Sequence, residues 1–109
     1  MTVRALADTL GLTVHALPDP DREITGAYIG DLLSWVMGRA ESGCIWITIM
    51  SNQNCIAVAT LADTAAILLA EGVAPDEELV ALAAAKGVNL LSSSEPAYET
   101  AVRLSALAL

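Results

Sequence analysis

Few side chains in this sequence could do chemistry, and they are scattered along it. Cys44 and Cys55 are the two cysteines and His15 is the single histidine. Neither cysteine has a cation or a helix start visible beside it, so both are expected to be buried small hydrophobes rather than activated thiols. His15 has no announced partner for metal or acid–base work and is expected to play a structural part at a strand end. Asp76, Glu77 and Glu78 stand together, but the first turn of a helix explains three acids through the helix dipole alone. The remaining candidates are small and polar: Ser51, Asn52, Gln53 and Asn54, then Asp63 and Thr64, then Ser92, Ser93 and Ser94. If Asn52, Asn54, Asp63, Thr64 and the serine triplet gathered at one sheet edge, they could bind a polar, nucleotide-like ligand. Turn formation and helix capping account for the same residue types. No catalytic residue, metal ligand set or cofactor is assigned. A phosphate cradle of the G-x-x-x-x-G-K-[ST] or G-x-G-x-x-G kind is absent.

The element expected to position these residues is the stretch Cys44 to Leu61. It contains two apolar segments rich in β-branched residues around the quartet Ser51-Asn52-Gln53-Asn54. Read by pattern it is strand, tight turn, strand, and a four-residue turn permits only antiparallel pairing. In that register Met50 faces Cys55, Thr48 faces Ala57 and Trp46 faces Ala59, while Ile45, Ile47, Ile49, Ile56 and Val58 share the other face. The cysteines would then lie roughly 18 Å apart, too far for a disulfide or a shared metal. Both faces of such a hairpin are apolar. It therefore belongs inside a layered α/β domain with helices on each side.

Around that centre the chain reads as short alternating elements. Val3, Leu6, Ala7 and Leu10 recur at helical spacing between a capping Thr2 and the stop Gly11. Leu12 to Leu17 alternates weakly and ends at Pro18-Asp19-Pro20-Asp21, and a short extended piece covers Ile24 to Ile29. Asp31 to Ala40 predicts an amphipathic helix with Leu32, Leu33, Val36, Met37 and Ala40 on one face. After Leu61 a short turn leads to Ala65 to Ala70, read as a strand. A helix opening at Pro75-Asp76-Glu77-Glu78 closes at Lys86-Gly87, and Val88 to Ser92 forms a strand. Ser94-Glu95-Pro96 starts a last helix. The crossover makes Ala65 to Ala70 and Val88 to Ser92 parallel neighbours.

Composition excludes several functions. The chain has 109 residues, 55% hydrophobic, with no Phe, two Trp and two Tyr. That is enough for one domain and a core without disulfide or metal. The formal charge is -8, Lys86 is the only lysine, and no basic stripe exists to track phosphates, so neither nucleic acid nor an anionic membrane is an expected partner. No apolar run reaches the ~18 residues of a spanning helix, and the first residues lack the pattern of a signal peptide. A cytoplasmic protein is expected.

Four segments resemble the DRTGG domain family: Gly30-Asp31-Leu32-Leu33-Ser34, Trp46-Ile47-Thr48-Ile49, Asn54 with Ala57-Val58-Ala59, and Pro75-Asp76-Glu77-Glu78 leading to Leu90-Leu91-Ser92. That family is similar to the N-terminal domain of HPr kinase/phosphorylase, and the likeness runs from about Ile24 to Leu107. It implies a compact three-layer α/β domain, found alone or beside regulatory CBS modules and enzymes, without catalysis of its own. The polar signature naming the family has no counterpart after Val58-Ala59, where the chain reads Thr60-Leu61-Ala62-Asp63-Thr64 without arginine. No functional residue is carried over. The combined expectation is one DRTGG-like α/β domain over residues 1–109, a mixed and mostly parallel sheet with helices on both faces. It would act as a non-catalytic regulatory or protein-interaction module, as a homo-oligomer or accessory to a larger enzyme. The alternative is a small-molecule binding domain or small enzyme with a polar site at the sheet edge.

Overall fold

The computed structural model describes residues 1–109. Ten elements follow in the order α1 (Val3–Leu10), β1 (Thr13–Ala16), β2 (Gly26–Ile29), α2 (Leu33–Arg39), β3 (Cys44–Thr48), α3 (Gln53–Ala62), β4 (Ala66–Leu69), α4 (Glu77–Lys86), β5 (Leu90–Ser92) and α5 (Ala97–Ser105). The five strands form one sheet in the order β1-β5-β4-β3-β2. β2 to β5 are mutually parallel, and β1 joins β5 antiparallel with an irregularity between Val14 and Ala16. Two apolar cores lie on either side. Val3, Leu6 and Leu10 of α1 and Leu104 of α5 pack on Ile45, Ile47, Leu68 and Leu91. On the other face Val36 of α2, Cys55, Ile56 and Ala59 of α3, and Leu79 and Ala83 of α4 pack on Trp46, Ile67, Leu69 and Leu90. The three-layer, mostly parallel α/β architecture is the expected one.

Local chemistry sets most boundaries. The Thr2 hydroxyl accepts from Ala5 N, and Gly11 stops α1 in the left-handed region at φ 63°. The Asp76 carboxylate accepts from Leu79 N at 2.8 Å and Gly87 closes α4 at φ 74°, with Glu77 and Glu78 in the first turn and Lys86 in the last. These groups satisfy backbone donors and acceptors that a helix leaves open at its ends. The strands at Ala65 to Ala70 and Val88 to Ser92 are present as β4 and β5, side by side and parallel across α4.

The central hairpin is not. Cys44–Thr48 is a strand, all five residues buried, but the second apolar segment is α3, and β3 pairs in parallel with β4 rather than with residues 55–61. The Met50 with Cys55, Thr48 with Ala57 and Trp46 with Ala59 pairings do not exist, and the 18 Å cysteine separation derived from them lapses. Asn52 occupies the N-cap instead, its side chain accepting from Asn54 N at 3.0 Å. The quartet Ser51-Asn52-Gln53-Asn54 offers a cap but no glycine for the left-handed residues of a two-residue hairpin turn. β-branched Ile56, Val58 and Thr60 imitate a strand because α3 is wedged beside α2 and α4 and carries apolar residues nearly all round. Cys55 and Met50 do meet, within the turn that starts the helix: the Cys55 thiol donates to the Met50 carbonyl at 3.3 Å. The amphipathic helix at 31–40 is shorter than expected and buries Val36 alone, leaving Leu32, Trp35 and Met37 exposed.

The amino ends of the strands are held by a polar clasp. The Arg22 guanidinium donates to both carboxylate oxygens of Asp63, at 3.0 and 2.9 Å, and the Ser42 hydroxyl donates to the same carboxylate. Gly43 completes it. Its φ of 82° suits glycine, and a Cβ there would stand 2.8 Å from Thr25 Cγ2. Arg22 first and Ser42 second hold the Asp63 carboxyl at about 2. Because this folded value lies below that of a free aspartate, the pair's stabilisation is complete above pH ~4 and disappears as pH falls toward 2. The clasp is exposed and screened, so the loss is under about 1 kcal/mol. Thermal melts between these pH values are expected to show an acid limb that Asp63→Asn flattens, since asparagine keeps the left-handed backbone (φ 58°) but not the charge. An unchanged limb in that variant would assign it to other carboxylates.

Candidate functional site

In an open parallel sheet, ligands sit beyond the carboxyl ends of the strands. At that end of β3 the Thr48 hydroxyl donates to Asp31 Oδ1 at 2.7 Å, Ile49 N donates to the same oxygen at 3.0 Å, and Met50 N donates to Thr48 Oγ1 at 3.2 Å. Asp31 follows β2, so this one carboxylate ties the ends of two neighbouring strands. The chain then enters α3 through Asn52, with Asn52, Gln53 and Asn54 exposed. Burial raises the Cys55 thiol above its usual range; the same holds for Cys44. Both cysteines are free and buried, packed as small hydrophobes and poorly suited to act as nucleophiles.

At the end of β5 the first two serines of the triplet are committed to hydrogen bonds within the fold. Ser92 Oγ lies 2.8 Å from His15 Nε2 across the β1–β5 edge, and burial lowers the pKa of that imidazole, favouring the neutral ring that can accept from a hydroxyl. Ser93 Oγ accepts from Glu95 N and Thr100 Oγ1, both at 3.1 Å. Ser94 is exposed. The intervening loop after β4 leans on this turn: Gly72 N donates to the Ser93 carbonyl at 3.1 Å and Glu71 N to the Glu95 carbonyl at 2.8 Å. Glu71 adopts φ 64°, costly for a residue with a Cβ, and its carboxylate accepts from Ala97 N at 2.7 Å. It thereby caps α5, whose own Pro96 supplies no capping side chain. Glu71 and Asp31 carry no sequence signal for these roles, because each partner is distant in the chain.

The candidate residues divide between two ends of the molecule. Asn52 and Asn54 at the start of α3, and Ser92 to Ser94 at and beyond the end of β5, share the carboxyl edge, with β4 between β3 and β5 and two strand spacings, about 10 Å, separating those strand ends. Asp63 and Thr64 lie at the opposite edge, beyond the far end of α3, about 15 Å along that helix. There they line a cavity of about 180 Å³ with Arg22, Asp19 and Lys86, where the buried Thr64 hydroxyl has no hydrogen-bond partner. A second concavity, a groove of about 430 Å³ between α3 and α4, has Gln53 and Asn54 at one end and Lys86 among its lining. No three or more His, Cys, Asp or Glu side chains are grouped to hold a metal ion, and no helix is long and apolar enough to cross a membrane.

The DRTGG domain model matches residues 5–107. The chain is a member of the DRTGG domain family. Among solved structures, the DRTGG chain is similar to the CBS and DRTGG domains of the regulatory region of Clostridium perfringens pyrophosphatase, a complex with its activator diadenosine tetraphosphate. The TM-score is 0.68 at 16% identity over 91% of this chain, which spans only 43% of that chain. No curated protein matches the sequence. The family match extends the resemblance read from residues 24–107 back through β1 and into α1.

Proposed function

We propose that residues 1–109 are one DRTGG module with a regulatory or protein-interaction role and no catalysis of its own, acting in the cytoplasm as a homo-oligomer or beside a larger enzyme. Membership of the DRTGG family, together with the place of the similar domain in a regulatory region, carries this reading. The side-chain geometry supports it. Asn52 caps α3, Asp63 holds Arg22, Ser92 meets His15, and Ser93 serves the turn into α5. Each is explained by the backbone or side chain it holds. The kinship with the N-terminal domain of HPr kinase/phosphorylase belongs to the same reading.

A second reading, binding of a small nucleotide-like ligand, is favoured by one observation: Asn54 and Gln53 stand where the carboxyl edge meets the α3–α4 groove, with Lys86 as a cation within it. The activator in the similar structure belongs to that protein and serves here as a choice of probe. Titration with ATP, AMP and diadenosine tetraphosphate, followed for both heat and released phosphate, tests the two together. No turnover is expected with any of them. Catalysed hydrolysis that disappears in the Asn52→Gly, Asn54→Gly double variant would overturn the regulatory reading. Saturable binding lost in that variant, while its stability changes by only about 1 kcal/mol, would place the ligand at the start of α3.

A further inference from the structure

β2 is the outer strand of the sheet, bonded to β3 on one side only. Its four residues are Gly26-Ala27-Tyr28-Ile29, without the lysine, proline or other charge that commonly blunts a free edge. Ala27 and Ile29 are in register with Ile45 and Ile47, so they share the face covered by α1 and α5, yet those helices leave Ile29 50% exposed. The adjoining α2 is no better covered. Leu32, Trp35 and Arg39 recur at helical spacing as one strip, with Leu32 55% and Trp35 51% exposed. The Arg39 guanidinium lies over the Trp35 ring, 3.7 Å from its centroid. Arg39 and Glu41 also line a cleft of about 310 Å³ running beside Thr25 to Tyr28.

We propose that this edge is where a second copy of the chain docks, its β2 pairing antiparallel with the first across a two-fold axis and the Leu32–Trp35–Arg39 strips closing over the seam. The inference rests on the module reading and specifies its partner and surface. Charge selects the occupant. Two copies each carrying -8 repel over most of their surfaces. Residues 24–41, however, contain only Asp31, Glu41 and Arg39 as charged side chains, and Asp31 accepts from Thr48 and Ile49 at the end of β3. The patch therefore carries little of the chain's negative charge, and Arg39 is balanced by Glu41 within it. A two-fold also offers the Arg39 of each copy to the cleft holding the Glu41 of the other, so the surface is complementary to itself. A stable dimer needs about 800 Å² from each copy, roughly one seventh of the 5369 Å² accessible here.

Sedimentation equilibrium of the purified chain from micromolar to sub-millimolar concentration tests this, with Trp35→Glu and Ala27→Lys as variants. Both residues are exposed, so circular dichroism and melting temperature at low concentration are expected to match the wild type. The expected result is a reversible dimer weakened about tenfold or more in each variant, with amides of β2 gaining exchange protection as concentration rises. A wild-type monomer throughout the range overturns the proposal and leaves the face to a different chain. A dimer indifferent to both substitutions overturns this surface but retains self-association. Neither result touches the nucleotide titration, which judges the module reading separately.

Discussion

Trp46→Ala is expected to lower the unfolding free energy by about 4 kcal/mol, the middle of the range for removing a large buried aromatic. Against the 5–15 kcal/mol typical of a whole domain, that leaves a marginal protein. Trp46 is 0% exposed in the middle of β3, in register with Tyr28 on one side and Ile67 on the other. Its indole N–H donates to the Gly30 carbonyl at 2.8 Å. Trp46→Phe separates the contributions. It keeps most of the apolar contact but leaves that carbonyl without its donor, and about 1–2 kcal/mol is expected. Urea denaturation followed by far-ultraviolet circular dichroism measures both. A cost for the alanine variant near 1 kcal/mol would mean that Trp46 is not a centre of the packed layer.

Asn89→Ala is expected to cost about 3 kcal/mol although it removes no apolar group. This side chain is 2% exposed. Its amide nitrogen donates to the carbonyls of Asp19 at 2.7 Å and Ala65 at 2.9 Å, and its oxygen accepts from Asp19 N at 2.9 Å. The Pro18-Asp19-Pro20 loop is thus pinned across the amino ends of β4 and β5. Alanine leaves the buried Ala65 carbonyl unsatisfied and frees the loop. Asn89→Asp sharpens the test, because a carboxylate there faces two carbonyls with nothing to donate. Its folded-state pKa would be raised, so this variant should gain stability as pH falls from 7 through the unfolded value near 4. Equal destabilisation at pH 7 and pH 5 would show that the carboxylate escapes to water. Chemical denaturation at the two pH values decides it.

Those two residues also mark the limit of what pattern reading can reach. Boundaries written in adjacent residues were legible: Thr2 and Gly11 bracket α1, and Asp76 and Gly87 bracket α4, because a cap acts on backbone groups within one turn. The β4-α4-β5 unit followed from helix length between two apolar runs. Residues 53–62 defeated the same method. Periodicity reports a helix only when its water-facing side is polar, and the exposed side of α3 carries Ala57 and Leu61 beside Gln53, Asn54 and Thr60, so its β-branched residues outweighed its cap. The candidate site was half legible. The serine triplet and the asparagines do lie beyond strand ends, but Asp63 belongs to a clasp made by Arg22, 41 residues away, and Glu71 caps a helix start 26 residues on. Pairings at that separation leave no trace in local sequence.

The antiparallel placement of β1 beside β5 has a consequence for how the chain comes together. β2 to β5 are laid down in sequence, each beside its predecessor, so every addition closes a loop of one helix and its connections. The register of Thr13 with Ser92 instead joins residues near opposite ends of the chain, a closure whose entropic cost is met only after β5 has a place in the sheet. During synthesis β1, made before the other four strands, is therefore the last of the five to find its neighbour. Until then β5 presents its bare side, whereas α1 is held independently of β1, with Val3 N and Arg4 N donating to the Arg22 and Pro20 carbonyls and Thr2 bridging to Glu23 just before β2, so the Ile45, Ile47 and Leu68 face can be covered before that strand is placed.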